Sequence, residues 1–351
     1  MARSSIRASL PEDIPALHQL MTAAGSRLPN SEPECLHWKY WRERPDWPGP
    51  RSFVMSRGNE ILAHAGVVPG AFLFGDARLG VQRVRALHII DWAARPTAIG
   101  AGASLMKHLG QTTDALLAIG GSAETLRLLP HLGFRPLGSA TCYVRTLRPV
   151  RILTPSVHPV SRLLPRFARS VLWSLHAPSG DFNGWSVRRI EAGDLSRVGA
   201  LLPAPTGSMG VLERGKDLFH YLLACPIVPM ELYAIEREGQ ARGYFLLSFA
   251  LRQARLVDYW VSSGDPADWR ALIQCAVARA KQHSSCAELV AWASDSASGK
   301  SLLESGFHER GALSVQVLAS RNPQLAVPAL RVQMLDNDAA YLHGTRNEFW
   351  A

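Results

Sequence analysis

The amino-acid sequence carries one plan twice, and this limits the fold more than any other feature. Ile6-Arg7 is matched by Val187-Arg188, and Asp13-Ile14 by Asp194-Leu195, at an offset of 181 residues (187 − 6; 194 − 13). Trp38-Lys39-Tyr40 through Pro45 is matched by Phe219-His220-Tyr221 through Pro226, and Gly58 by Gly239, at that same offset (226 − 45; 239 − 58). Farther on, Leu132-Gly133-Phe134 is matched by Ser305-Gly306-Phe307 at an offset of 173 (306 − 133), and Asp91-Trp92 by Asp258-Tyr259-Trp260. One such match arises by chance, but their common order does not. A unit this long is a domain rather than a solenoid repeat. The expected boundaries are 1–148 and 185–320, with a connector at 149–184 and an extension at 321–351.

Local signals order the first copy. Ile6-Arg7-Ala8 reads as a strand. Leu10-Pro11-Glu12-Asp13 opens a helix with acids in its first turn, carried on by Ile14, Leu17, Leu20 and Met21 at helical spacing. Leu36–Trp41 is an aromatic helix stopped near Pro45. Phe53–Met55 and Ile61–Val68 form a hairpin around Arg57-Gly58-Asn59. Val84–Trp92 and Ala115–Ile119 are strands, Ser122–Leu132 is a helix, and Cys142–Leu147 is the strand that closes the unit. In the tail, Leu330–Leu335 reads as one more strand, and the acidic turn Asp336-Asn337-Asp338 reads as a surface turn or as one whose Asp336 and Asp338 line the acceptor pocket.

Between Trp92 and the apolar helical run Leu105, Met106, Leu109 lies Ala98-Ile99-Gly100-Ala101-Gly102-Ala103. Strand, glycine turn and helix start together present backbone N–H groups to a phosphate. Glycine leaves room for a pyrophosphate to come close. Alone, the two glycines describe a ligand-free tight turn equally well. The second copy has Val261-Ser262-Ser263-Gly264-Asp265-Pro266-Ala267-Asp268-Trp269 at this place. It lacks the glycine pair, its two aspartates repel a pyrophosphate, and it reads as a well-capped helix start.

The run Ala98–Met106 resembles the acyl-CoA loop of the GCN5-related N-acetyltransferase (GNAT) superfamily, Gln/Arg-x-x-Gly-x-Gly/Ala followed by small residues and an apolar pair. Thr97 stands where that family prefers Gln or Arg. The opening strand, x-x-Asp and amphipathic helix, and the Leu-Gly-Phe after a helix, are further GNAT landmarks. The resemblance implies an α/β fold (an α+β mixed sheet) of two tandem GNAT-like domains. Each would be a central, mostly antiparallel mixed sheet flanked by helices, the second copy being degenerate.

The resemblance also implies an acyltransferase. It would move an acyl group from acetyl-CoA or another acyl-CoA to an amine on a small molecule or protein. Trp92, Ala93, Ala98, Ile99, Gly100, Ala101, Gly102 and Ala103 would hold the cofactor. Many members place an acidic tyrosine four residues before the Gly of Gly-Phe. Leu129 and Leu302 stand there, so His131 and Tyr40 are the substitutes, or the thiolate leaves unaided. For the base the candidates are Asp91, His88 and His64. Strand alternation puts Asp91 on the face of Leu87 and Ile89, and His88 on the face of Ile90 and Trp92. His88 reads equally as a core histidine, and Asp91 as a structural anchor, since Asp258 is kept where no glycine loop follows. Two rival readings are a non-catalytic binding protein on the GNAT scaffold and a Fem-type aminoacyltransferase using charged tRNA.

Charge narrows the partners. Lys and Arg number 38 against 29 Asp and Glu, a net charge of +9. This favours CoA, a phosphorylated substrate, an anionic membrane surface or nucleic acid, though no sequence-specific nucleic-acid motif is visible. Residues 126–180 contain no Asp or Glu and eight arginines. Within them, 157–175 reads either as a connector helix or as a basic amphipathic helix resting on an anionic bilayer. No apolar run reaches the roughly 18 residues of a membrane span. The N-terminus has no signal-peptide core. The five scattered cysteines show no metal-ligand spacing, so no metal and a reducing, cytoplasmic setting are expected. Oligomeric state is left open.

Overall fold

Turn and cap chemistry set where each element starts in the computed structural model, which describes residues 4–25, 31–76, 80–153, 160–175, 177–178, 184–205, 209–319 and 329–342. The chain runs through β1 (Ser4–Ala8), α1 (Ile14–Ala23), α2 (Pro33–Leu36), β2 (Ser52–Arg57), β3 (Glu60–Asp76) and β4 (Gly80–Ala94). Then come α3 (Ala101–Thr112), β5 (Ala115–Ile119), α4 (Ala123–Leu128), β6 (Arg135–Thr146), α5 (Val160–Leu175), β7 (Trp185–Ile190) and β8 (Met209–Leu212). The rest is α6 (Lys216–Leu223), β9 (Met230–Arg237), β10 (Gln240–Ala250), β11 (Gln253–Val261), α7 (Pro266–Gln282), β12 (Glu288–Ala293), α8 (Ser296–Glu304), β13 (His308–Ala319) and β14 (Ala329–Arg331). Two compact units result: Met1–Gly138 with Ala204–Glu213 and Leu313–Leu330, and Ser139–Pro203 with Arg214–Ala312 and Arg331–Ala351.

In the first unit β1, β2, β3 and β4 pair antiparallel in sequence order, and β5 joins parallel to β4. Its next strand is Val315–Ala319 of β13, antiparallel to β5. The second unit repeats the order. β7, β9, β10 and β11 are antiparallel neighbours, and β12 is parallel to β11. Its next strand is Thr141–Thr146 of β6, with Cys142 opposite Trp292. The strand expected over Cys142–Leu147 to close the first copy therefore serves the second unit's sheet. Only long-range pairing decides this. In the tail the strand stops at Arg331, and Met334–Asp336 is a 3-10 turn.

Both faces of the first unit's sheet are covered. On one, Leu105, Met106 and Leu109 of α3 pack with Leu87, Leu116 and Phe134. On the other, Leu17, Leu20 and Met21 of α1 pack with Tyr40, Val54 and Ile61. The helical entry is set as its acids suggest: Asp13 accepts from the Leu10 N–H at 2.8 Å and pairs with Arg7 at 2.7 Å. The aromatic run is not an ordinary helix, because α2 passes into a π-helical turn over His37–Trp41.

One irregularity resets the register. Along β3 and β4, His64 faces Ala93 but Gly66 faces Ile90, so β4 holds one extra residue. That is a β-bulge. Asp91 takes φ +48°, the left-handed region, inside it. The extra residue reverses alternation beyond it. Trp92 and Ala94 join Leu87 and Ile89 on the α3 face, and Ala93 lies on the α1 face. Asp91 is thus not on the face of Leu87 and Ile89 as alternation implied. β11 has the same device, with Leu246 opposite Asp258 and Leu247 opposite Leu256.

Candidate functional site

β4 and β5 pair only from Ala86 to His88, opposite Ala115 to Leu117. Past that point the strands part, and the Asp91 bulge begins. The glycine turn follows the end of β4 and starts α3. Gly100 is the N-cap residue at φ +80°, and a Cβ there would meet nothing within 4 Å. Its requirement is conformational. Gly102 is different: a Cβ would lie 3.1 Å from Trp92 Nε1 and 3.4 Å from Ala94 Cβ. Its requirement is the close seating of α3 on β4, not the room for a pyrophosphate suggested by the sequence. Within the turn, Ala98 O accepts from Ala101 N–H at 3.1 Å and Gly100 O from Ser104 N–H at 2.9 Å. Ile99, at the tip, is exposed, Ala98 and Ala101 pack toward the core, and Ala103 is exposed. The helix's positive end is thereby turned outward.

A cavity of about 990 Å³ runs along α3. Ser104, Lys107 and Gln111 line it from α3, with His131 and Arg135 opposite. Lys107 and Arg135 are exposed and give this groove a positive wall.

Asp91 and His64 come together, with the His64 ring meeting the Asp91 main-chain carbonyl rather than its carboxylate. Lys39 Nζ and Tyr40 Oη both donate to Asp91 Oδ2, at 2.5 and 2.6 Å. The side chains of Lys39 and Asp91 are 1% and 8% exposed. Gly66 makes room for the Tyr40 ring, since a Cβ there would fall 2.8 Å from it. Burial pushes the Asp91 carboxyl up. The Lys39 charge and the hydrogen bonds from Lys39 and Tyr40 outweigh this and hold it below the usual carboxylate range. His64 shares hydrogen bonds with Ser52 Oγ at 2.9 Å and with the Asp91 carbonyl at 3.1 Å. Burial depresses its pKa to about 4 against the opposing pull of Asp91, so the ring is neutral at pH 7. His88 is buried at the last β4–β5 pair, opposite Leu117 and Val68. Trp92 seats on Gly102, and its indole N–H is buried without a hydrogen-bond partner among the described residues. Ala93 pairs with His64 across the strands. Sequence reasoning missed Lys39. Its signal is a lone charge inside the aromatic run Trp38–Trp41.

The second unit holds the counterpart of this lock and closes the counterpart of the opening. Asp258 accepts from Arg214 at 2.9 Å and from Tyr244 Oη at 2.7 Å, and Arg214 also reaches Asp336 at 2.6 Å. Asp336 is buried rather than exposed in a surface turn; burial raises its carboxyl pKa despite Arg214. β11–β12 pairing stops at Leu256 and Ala291. Beyond, the Gln333 carboxamide accepts from the Tyr259 N–H and donates to the Tyr259 carbonyl, both at 2.8 Å. Val332 N–H donates to Ser294 Oγ at 2.7 Å. The Arg331 guanidinium lies 4.7 Å from the Trp260 ring and 4.9 Å from that of Trp269, with Asp295 at 2.9 Å. The chain's own residues 331–336 thus fill the edge of β11 that corresponds to the open edge of β4. Asp265 caps α7 through the Ala267 N–H at 2.8 Å, and Asp268 accepts from Ser263 Oγ at 2.5 Å.

Among the described residues, no three His, Cys, Asp or Glu side chains gather as a metal ion requires. No helix among them is long and apolar enough to cross a membrane.

No family model matches the chain, and no curated protein matches it. Solved structures do. A GCN5-related N-acetyltransferase from Anabaena variabilis superposes with a TM-score of 0.55 at 13% identity, over 91% of this chain and 73% of that one. N-myristoyltransferase of Saccharomyces cerevisiae, solved with bound myristoyl-CoA, gives 0.60 at 12% identity over 99% and 86%. A tandem GNAT protein of the clavulanic acid biosynthesis pathway gives 0.55 at 11% identity over 90% and 98%. At such identities the likeness concerns the fold: the chain has the tandem GNAT fold, a mixed α/β architecture.

Proposed function

We propose that this chain is an acyltransferase that moves an acyl group from acyl-CoA to an amine, and that its first unit binds the acyl-CoA. The observation that carries the reading is the Gly100–Gly102 turn at the start of α3, set where β4 and β5 part. The neighbours supply independent support, since one was solved with myristoyl-CoA and others are GCN5-related N-acetyltransferases. In this reading the amides of Ile99–Ala103 and the positive end of α3 hold the pyrophosphate. Lys107 and Arg135 offset the remaining phosphate charge. The acyl chain enters between β4 and β5.

The amine nitrogen attacks the thioester carbonyl carbon, the C–S bond breaks, and CoA departs as the thiolate. Leu129 offers the thiolate no proton, so the thiolate leaves unaided. Asp91 and His64 act by position: locked to Lys39, Tyr40 and Ser52, they fix the bulge that aims the β4 amides. The amine's proton is assigned to His88, at the point where the strands part. The acceptor is a small-molecule or protein amine.

A second reading, a scaffold that binds acyl-CoA without turnover, is favoured by the engagement of Asp91 and His64 in the lock. Thermal-shift measurements with CoA, acetyl-CoA and longer acyl-CoAs test binding. Ligand at 100 Kd should add about 2.7 kcal/mol of stability. No shift with any of them would overturn both readings. Binding without thiol release across a panel of amines would leave the scaffold and remove the enzyme.

A further inference from the structure

We propose that residues 331–336 form a proton-linked latch, seated more firmly on β11 as pH falls and more loosely as it rises. The latch is independent of the acyl-CoA reading, since every residue concerned belongs to the second unit.

The two copies differ in charge at the bulge. In the first unit one carboxylate, Asp91, faces one cation, Lys39, and one hydroxyl, that of Tyr40. The second unit keeps this set in Asp258, Arg214 and Tyr244 and adds a second carboxylate. Asp336 Oδ1 accepts at 2.6 Å from the same Arg214 Nη2 that donates to Asp258 Oδ1 at 2.9 Å. Two acids thus meet on one guanidinium nitrogen. Their side chains are each 2% exposed, and that of Arg214 is 6% exposed.

The groups that face Asp336 are Arg214, ahead of α6, Asp258 on β11, and the Gln333 N–H of its own turn, 2.7 Å from Oδ2. Tyr244 of β10 stands behind Asp258. Arg255 of β11 is turned to the Ala339 and Leu342 carbonyls, and Arg331 at the start of the segment is balanced by Asp295. With both carboxylates ionised, Arg214, Asp258 and Asp336 together carry one negative charge in excess. Like charges this close, away from water, bind a proton more readily than either does in solution. Burial and Asp258 accordingly raise the Asp336 carboxyl in spite of Arg214.

Asp336 belongs to the segment that fills the edge of β11, and this couples its charge to seating. The contacts of Gln333 with Tyr259 and of Val332 with Ser294 are between neutral groups. Lifting the segment carries Asp336 into water, where a carboxyl has a pKa of about 3.9. It leaves Asp258 with Arg214 and Tyr244, the balanced set of the first unit. Between the lifted and the seated pKa values the seated form therefore binds more protons. Lowering the pH favours seating, and raising it favours lifting. Lifting uncovers the Tyr259 N–H and carbonyl on the edge of β11.

Hydrogen–deuterium exchange of the full-length chain, read by mass spectrometry on peptides spanning 331–342, tests this. Labelling at about pH 5 and about pH 8 is scaled to the intrinsic exchange rate, and peptides of β12 report opening of the unit as a whole. Relative to β12, protection of the segment should be about threefold or more higher at the lower pH. Asp336→Asn removes the charge but keeps an oxygen for Arg214, so its protection should not change with pH. Asp258→Asn leaves one carboxylate on the guanidinium and should abolish the gain on acidification. Equal protection at the two pH values in the wild type, or greater protection at the higher one, would overturn the proposal. So would a wild-type profile kept by both variants, which would place the proton on another group.

Discussion

Replacing Lys39 by Met should destabilise the first unit strongly, and more at pH 7 than at pH 5. The Lys39 and Asp91 side chains are 1% and 8% exposed and meet at 2.5 Å. Without the ammonium, a buried carboxylate keeps the Tyr40 hydroxyl but loses its counter-charge. Breaking a buried pair on one side costs about 3–5 kcal/mol. At about 2–4 °C per kcal/mol for a unit of this size, the melting temperature should fall by roughly 10 °C. The pH dependence follows from the sign of the shift. In the wild type the Asp91 pKa is depressed, so its contribution is present above the unfolded value of about 3.9 and lost as pH falls through the lower folded value. In the variant burial is opposed by Tyr40 and His64 without the Lys39 charge, and it lifts the carboxyl above the unfolded value. The variant's native state then binds more protons than its unfolded state, so acidification recovers stability. The gap between the two proteins should narrow from pH 7 to pH 5. Asp91→Asn added to Lys39→Met should restore part of the loss, because a neutral amide needs no counter-charge. Urea titrations followed by tryptophan fluorescence at both pH values measure all of this. A gap that does not change with pH, or a double variant as unstable as the sum of the singles, would refute a charge-paired lock.

Three further outcomes are expected. His64 has a folded pKa of about 4 against an unfolded value near 6.5. The unfolded state therefore binds more protons between those values, and stability should fall by about 3 kcal/mol as pH drops through this window. His64→Gln should flatten it in the same urea series. Gly102→Val drives a side chain into Trp92 and should weaken acyl-CoA binding at least tenfold, about 1.4 kcal/mol. Gly264→Val meets nothing within 4 Å and should leave affinity unchanged, both read by calorimetric titration. Gln333→Ala strands the Tyr259 N–H and carbonyl and should cost about 1–3 kcal/mol. The titration should still report one acyl-CoA per chain; two would mean that residues 331–336 do not bar the second unit.

Much of the plan is legible in one dimension because its causes are local. The Asp13 entry to α1, the Asp265 cap and the glycine turn before α3 each depend on residues within a turn or two of one another, and the repeat shows because the same local signals recur in the same order. The missing glycine pair of the second copy is legible for the same reason. What the tertiary structure alone decided depends on pairs far apart in the chain. Which sheet takes Thr141–Thr146 is settled by Glu288–Ala293, and no pattern inside the strand specifies its partner. The face of Asp91 is set by a bulge, which exists only as a mismatch between two strands. Its lock joins residues separated by 52 positions. Gly102 is glycine because Trp92 lies across it, and the second unit's edge is filled by a segment 74 residues downstream of Tyr259. Alternation and helical spacing describe one strand or helix at a time. Burial of a charge, and the closing of a groove, are properties of the elements once they have met.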